Sequence, residues 1–177
     1  AASLGADVVL VSGVSHEKVE HSLIERIDVV SAQDMYDAAH EHFSTSDIAI
    51  LSAAVADYKP KNISTKKIKK NDAIMSIELV KTKDILASLG EIKTGQFLVG
   101  FALETNNELE NALGKLKRKN LDLIVLNSLQ DKGAGFKKST NKVTIIDKSE
   151  KISEFSLKSK SEVAQDIFNE IVNRIHE

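Results

Sequence analysis

The chain has 177 residues, 42% of them hydrophobic and 28% charged, with a net charge of −2 at pH 7, a globular composition long enough for one domain with a full core. That near-neutral balance argues against generic nucleic-acid binding, while lysines gathered in 59–70 and 115–119 leave room for a small anionic ligand. The absence of cysteine removes a disulfide framework or thiolate metal site and fits an intracellular, cytoplasmic protein, and no apolar stretch approaches the roughly 20 residues that span a bilayer.

In chain order, "AASLGADVVLVSG" reads as the last turn of a helix, a glycine stop and a strand. The expectation is a chain that begins inside a β–α unit, with at least one strand and most of a helix upstream. Strand candidates are Asp7–Ser12, Arg26–Val30, Asp47–Ala53, Ile74–Leu79, Phe97–Ala102, Leu121–Leu126 and Val143–Ile146. Ser31 with Asp34 forms a cap opening a helix to about Phe43. Leu109, Ala112, Leu113 and Leu116 give helical spacing in 107–119. A last helix, opened by Ser161, carries Val163, Ala164, Ile167, Phe168, Ile171, Val172 and Ile175 on one face. Residues 143–157 read as a β-hairpin with a polar turn at Asp147–Lys151.

Several strands are continuous apolar runs ("VVLVS", "IAILSAA", "FLVGFA", "LIVLN"), as parallel strands covered on both faces require. Alternation with helices predicts an α/β, Rossmann-like, doubly wound and mostly parallel sheet as a single domain over 1–177, ending in a hairpin and helix. Such sheets bind ligands at the carboxyl ends of their strands. Attention therefore falls on Gly13, Ala53–Lys70, Phe101–Asn107 and the segment from Asn127.

At the second of these places the small residues Ser52, Ala53 and Ala54 run into a loop with six lysines before the next acid. Small side chains let a ligand approach the backbone, and a lysine-bearing flap can close over phosphates; a merely solvated loop explains the charge equally well. Downstream, Lys115 and Lys119 fall together beside the apolar helical stripe, although basic residues in a last turn also simply offset the helix dipole. Phe101 can stack on a base or serve the core. Glu104 can bind a hydroxyl or a metal-bound water, and Thr105 or Asn106 can cap the next helix. His40 and His42 lie two apart, on different faces of a helix, and "GAGF" (133–136) lacks the spacing of a dinucleotide or triphosphate loop. Nothing suggests acyl-enzyme chemistry.

Together, "AAVADY" (53–58), "KKIKK" (66–70), "LVKTKDIL" (79–86), "GFALETNN" (100–107), "KLKRKNLDLIVLN" (115–127) and "GAGF" resemble phosphopantothenoylcysteine synthetase. This phosphopantothenate–cysteine ligase is one domain of the bifunctional bacterial coenzyme A biosynthesis protein. The resemblance covers nearly the whole chain in the same motif order. It implies a CTP-dependent ligase: the carboxylate of 4′-phosphopantothenate attacks CTP, giving an acyl-cytidylate and pyrophosphate, and the amine of cysteine then displaces CMP. It also implies Mg2+ with CTP, a homodimer that uses the flap and the 143–155 hairpin, and a flavin only in an attached decarboxylase domain outside this chain.

By motif, Lys67 matches the flap lysine implicated in catalysis. Leu51, Ser52, Ala53, Asp57, Lys83, Asp84, Ile85, Leu86 and Phe101 match nucleotide contacts, as do the pair Lys115 and Lys119. Ala53 and Ala54 match the backbone against which the acid substrate rests. Lys83 stands where the family often has proline, and "LNS" (126–128) replaces a frequent "AND". The family's glycine-rich first loop and a substrate-contacting asparagine are expected upstream of Ala1. A dinucleotide-dependent reductase shares the fold type, but predicts a Gly-rich first turn and an acidic end to the second strand, where this chain has "DVVSA". A non-catalytic module with a degenerate site is opposed by the retention of Asp57, Lys67, Lys115 and Lys119.

Overall fold

The computed structural model describes residues 1–68, 74–104, 106–128 and 139–175. A short 3-10 turn, Ala2–Leu4, ends at Gly5, whose φ of 89° is the left-handed conformation that only glycine adopts cheaply. The strands β1 (Val8–Ser12) and β2 (Ile24–Asp28) follow, then α1 (Ala32–Phe43) and β3 (Ile48–Leu51). Next come β4 (Tyr58–Pro60), β5 (Leu79–Lys81), α2 (Ile85–Ile92), β6 (Phe97–Glu104), α3 (Glu108–Arg118) and β7 (Leu123–Ser128). The chain closes with β8 (Thr140–Asn141), β9 (Val143–Asp147), β10 (Ile152–Glu154), β11 (Lys158–Ser159) and α4 (Lys160–Ile175).

The central sheet has the order β10-β9-β7-β6-β3, with β3, β6 and β7 parallel and β9 and β10 antiparallel at one edge. The mostly parallel α/β architecture expected from the apolar runs is therefore present, as is the hairpin. One core lies between the sheet and α1, α2 and α3, built on Phe43, Ile85, Leu89, Leu98, Ala112, Leu116 and Ile124. The other lies under α4, where Val163, Ile167 and Ile171 meet Val99, Leu123, Val125 and Ile145. Residues of β6 and β7 fall to 0% exposure because both faces are covered.

The continuous doubly wound sheet divides in one place. β1 and β2 form a parallel pair of their own, with no ladder to β3 among the described residues. Although β1 reads "VVLVS", none of its residues is buried, and Val9 is 40% exposed. Among the described residues before Ile85, only Val29, Ala38 and Phe43 are buried.

Other boundaries also moved, for identifiable reasons. Ile74–Leu79 is not a strand: the paired segment is Leu79–Lys81, whose register is set by Tyr58–Pro60 across an antiparallel ribbon that the sequence pattern missed. α1 is capped as expected, with the Asp34 N–H donating to Ser31 Oγ at 3.1 Å and the Ser31 N–H to Asp34 Oδ2 at 2.9 Å. α4 opens at Ser159 rather than Ser161. The Ser159 N–H donates to Glu162 Oε2 at 3.0 Å, and the Glu162 N–H returns a 3.3 Å bond to Ser159 Oγ. Its apolar stripe is narrower than the sequence suggests, since Ala164, Val172 and Ile175 are exposed. So is Leu109 on α3.

Asp147, at the end of β9, organises the hairpin. One carboxylate oxygen accepts from the Ser149 and Lys151 N–H groups at 2.9 and 3.0 Å and from Ser149 Oγ at 2.6 Å; the other accepts from Arg174 Nε of α4 at 3.0 Å. Burial alone would raise its pKa. The bonds from Ser149, Lys151 and Arg174 outweigh burial, and the group ionises below its ordinary value of 3.8. Its ionised form therefore stabilises the fold above pH 3.8, and that contribution disappears as pH falls through the depressed value. Asp147→Asn should lower stability at pH 7 by about 1–3 kcal/mol. In urea denaturation across pH, the gap from the parent protein should close below pH 3.8; a gap independent of pH would contradict this account.

Candidate functional site

β3 and β6 open at their carboxyl ends toward Ser52 and Asn107, and the start of α2 is joined by an ion pair to Lys119, which follows the last turn of α3. After Leu51, which packs on the core, Ser52, Ala53 and Ala54 are exposed, and the Val55 N–H donates to Ala53 O at 3.1 Å. This is an accessible stretch of backbone, as the small residues suggested. Asp57 is exposed, and its carbonyl accepts from the Thr82 N–H at 2.9 Å, while Thr82 Oγ1 donates to Ala56 O at 2.6 Å. Thr82 thereby ties the segment to the start of α2.

The flap is the ribbon β4–β5 with its long loop, braced where Lys61 Nζ meets Glu78 Oε1 at 2.7 Å. Lys67 lies on that loop, exposed, and no hydrogen bond or ion pair joins it to another described residue. Lys70, Thr105 and "GAGF" lie outside the described residues.

Asp84 has two partners. It caps α2 by accepting from the Ala87 N–H at 3.0 Å, and it receives Lys119 Nζ at 2.8 Å. Burial would raise its pKa, but the Lys119 bond, the cap bond and the nearby cations lower it on balance. Lys115 is matched in the same way: its Nζ lies 2.5 Å from Glu104 Oε1. Both lysines point from adjacent turns of α3, as their spacing predicts, and each arrives at a carboxylate from a different element. Sequence reasoning missed both pairings. An aspartate directly before an apolar helix signals a cap, but nothing in the one-dimensional pattern shows that Lys119 folds back onto it.

Three carried-over residues lie in or against the core. Ile85 is 6% exposed and belongs to the core, so only its main chain is available to a ligand. Leu86 packs against Gly100, where a Cβ would come within 2.6 Å of a Leu86 methyl group. Phe101 packs with Val99 and Phe97 toward α4, on the opposite face of the sheet from Ala102 and the lysine pairs, because successive strand residues alternate.

Lys83 has its Nζ 4.1 Å from the centre of the Tyr36 ring, which itself stacks on His40 at 3.9 Å. With Lys59, Lys81, Thr82, Ala32 and Gln33 it lines a shallow cleft of about 180 Å3. Lys59 and Lys81 thus flank the candidate nucleotide turn. Among the described residues there is no group of three His, Cys, Asp or Glu side chains able to hold a metal ion.

The model for the DNA/pantothenate metabolism flavoprotein C-terminal domain matches residues 1–175. A "Cysteine/Cysteine sulfinic acid decarboxylase" from an unknown prokaryotic organism is 54% identical over 177 residues, covering 99% of this chain and 49% of that protein. The coenzyme A biosynthesis bifunctional protein CoaBC of Bacillus subtilis is 46% identical over 171 residues, covering 97% of this chain and 42% of its own. The chain therefore spans about half the length of the curated relatives it matches. The crystal structure of the C-terminal domain of CoaBC superposes with a TM-score of 0.81 at 39% identity, covering 99% of this chain and 79% of that one.

The position of Asp84 relative to Lys119 depends on how α2 sits against the end of α3. Gly90 of α2 passes so close to the Lys119 carbonyl that a Cβ would lie 2.0 Å from its oxygen, and Asn120 Nδ2 bonds Gly90 O at 2.9 Å. Gly90→Ala should therefore destabilise the chain by about 1–3 kcal/mol, despite alanine's better helix propensity. Thermal denaturation checks this, and an unchanged or raised midpoint would show that the two elements separate freely.

Proposed function

The chain belongs to the DNA/pantothenate metabolism flavoprotein C-terminal domain family, and from that membership and the site geometry we propose that it is the phosphopantothenate–cysteine ligase part of a longer coenzyme A biosynthesis protein. CTP activates 4′-phosphopantothenate as an acyl-cytidylate with release of pyrophosphate, and cysteine displaces CMP to give 4′-phosphopantothenoylcysteine. The observation that carries this reading is the pair of matched lysines, Lys115 on Glu104 and Lys119 on Asp84, together with the exposed small residues Ser52–Ala54, in a chain related to a CoaBC C-terminal domain.

The residues suit a reaction between two anions. Transfer of a nucleotidyl group needs fixed cations and N–H donors around developing charge rather than a protein nucleophile. Lys115 and Lys119 supply donors at the sheet edge, and Lys59, Lys81 and Lys83 supply positive charge beside it. Lys67 is the catalytic candidate because it is exposed on the loop of the ribbon, with no hydrogen bond or ion pair to another described residue. Leu51, Ser52, Ala53, Asp57 and residues 83–86 take the nucleotide, with Ile85 acting through its main chain. Ala53 and Ala54 take the acid. Phe101 can contribute only from the far face of the sheet.

Magnesium would stabilise charge on the triphosphate. The described residues do not offer a preformed site for it, since the carboxylates of Asp84 and Glu104 are each committed to an ammonium group. The ion would arrive held chiefly by phosphate oxygens, and no step is assigned to it. Homodimer formation is supported by the ribbon, where Tyr58, Ile63, Ile68, Ile74, Met75 and Ile77 are all more than half exposed. A flavin would belong to the rest of the longer protein. No helix of the described residues is long and apolar enough to cross a membrane, and a cytoplasmic place suits the reaction.

The deciding assay is pyrophosphate release by the full-length protein given 4′-phosphopantothenate and CTP or ATP, without cysteine. Release with CTP is expected; none with either nucleotide would sink the ligase reading. Lys67→Ala should keep the thermal midpoint while turnover falls by about two orders of magnitude. Unchanged turnover would leave Lys67 a solvated surface lysine.

A further inference from the structure

Glu104 closes β6, and the strand's alternation puts its side chain on the same face as Leu98, Gly100 and Ala102, beneath α3. There its two oxygens reach successive turns of one helix. Oε1 accepts from Lys115 Nζ at 2.5 Å, and Oε2 lies 3.3 Å from Nδ2 of Asn111, four residues earlier. Asn111 is itself held, donating to Asn106 O at 2.9 Å. The Glu104 side chain is 15% exposed and that of Lys115 34%, so the pair is partly withdrawn from water and less screened than a surface pair.

We propose that Glu104 is a positioning residue that clamps the Lys115 ammonium at the sheet edge before any ligand arrives. A free lysine side chain samples many rotamers, and a ligand would otherwise have to remove that freedom on binding. The carboxylate uses one of the three ammonium donors and leaves two for the crevice. Asp84 does the same for Lys119. Asp84 also caps α2, so its replacement would disturb two things at once; Glu104 isolates the clamp. Since each lysine is matched by a carboxylate, the four groups sum to zero charge. Their contribution is therefore fixed donor geometry, not a positive field.

The clamp rests on the ligase reading for the identity of its ligand, CTP, but not for its existence. Glu104→Gln keeps the side chain's length and removes its charge. In the full-length protein it should raise KM for CTP about fivefold to tenfold, with kcat within about twofold of the parent. Lys115→Ala added to Glu104→Gln should then cost far less than Lys115→Ala alone, because both changes remove one contact. Independently of nucleotide, amine acylation of Lys115 followed by mass spectrometry should quicken several-fold in Glu104→Gln, with Lys119 unaffected. If Glu104→Gln fails to fold, Asn111→Ala, which frees one carboxylate oxygen and keeps the charge, should show the same changes in smaller measure.

Faster acylation of Lys115 with an unchanged KM for CTP would overturn the positioning role, as would additive effects of the two substitutions. If the parent protein neither binds CTP nor releases pyrophosphate from it, the ligase reading falls. The acylation rate then still decides whether Glu104 holds Lys115.

Discussion

Asp122 fixes the frame on which the site is hung. It stands just before β7, 8% exposed, and one oxygen accepts from the Leu98 N–H of β6 and from Lys93 Nζ, both at 2.8 Å. Lys148, at 3.6 Å from the other oxygen, adds the turn after β9. One carboxylate therefore joins the starts of two parallel strands, the residue that ends α2 and the hairpin edge. A buried carboxylate with only one of these partners would cost several kcal/mol. With all of them in place, the alignment of β6 on β7 is the arrangement that leaves no charge stranded. That alignment runs from Val99 opposite Leu123 to Glu104 opposite Ser128, so it also decides where Glu104 emerges at the other end of the sheet.

From that frame the geometry at the ligand edge follows in steps. α2 runs from Asp84 at the edge to Lys93 at the frame, and Gly90 lets it lie against the carbonyl of Lys119. The Lys119 backbone is thus held beside the same helix whose first turn carries Asp84, and the side chain folds over to that carboxylate. Leu86 fills the space that Gly100 leaves, which keeps the start of α2 close to β6. Small residues serve here as places where two elements touch, and their lack of side chain is what brings the charged residues within reach of one another.

Much of this was legible in one dimension because it rests on local chemistry. The apolar runs of β6 and β7, the cap at Ser31 and Asp34, and the four-residue spacing of Lys115 and Lys119 all follow from periods of two and 3.6 residues. What escaped was set by distant partners. β4 exists only because residues 79–81 return to pair with it, and the exposed "IMSI" run ahead of them looked more strand-like than the true strand. The carboxylates of Glu104 and Asp84 have no sequence relation to the lysines they hold, being 11 and 35 residues away. Phe101 is a different case: its motif pointed to the ligand, and strand alternation turns the ring to the α4 face.

The lysines sort into two kinds, and the distinction matters for how an anion would be bound. Lys115 and Lys119 are matched by carboxylates and sit in fixed places, so they add direction with little net field. Among the described residues, no carboxylate pairs with Lys59, Lys67, Lys81 or Lys83, and three of these surround the cleft at the start of α1. Attraction at long range, and its loss in salt, must come chiefly from that second group, because screening acts on net exposed charge. Lys83 is the intermediate case. Its position over Tyr36 holds the ammonium without neutralising it, so it keeps both its charge and a defined place. Lys83 thus adds a located cation beside Asp84, where a depressed pKa keeps the carboxylate ionised.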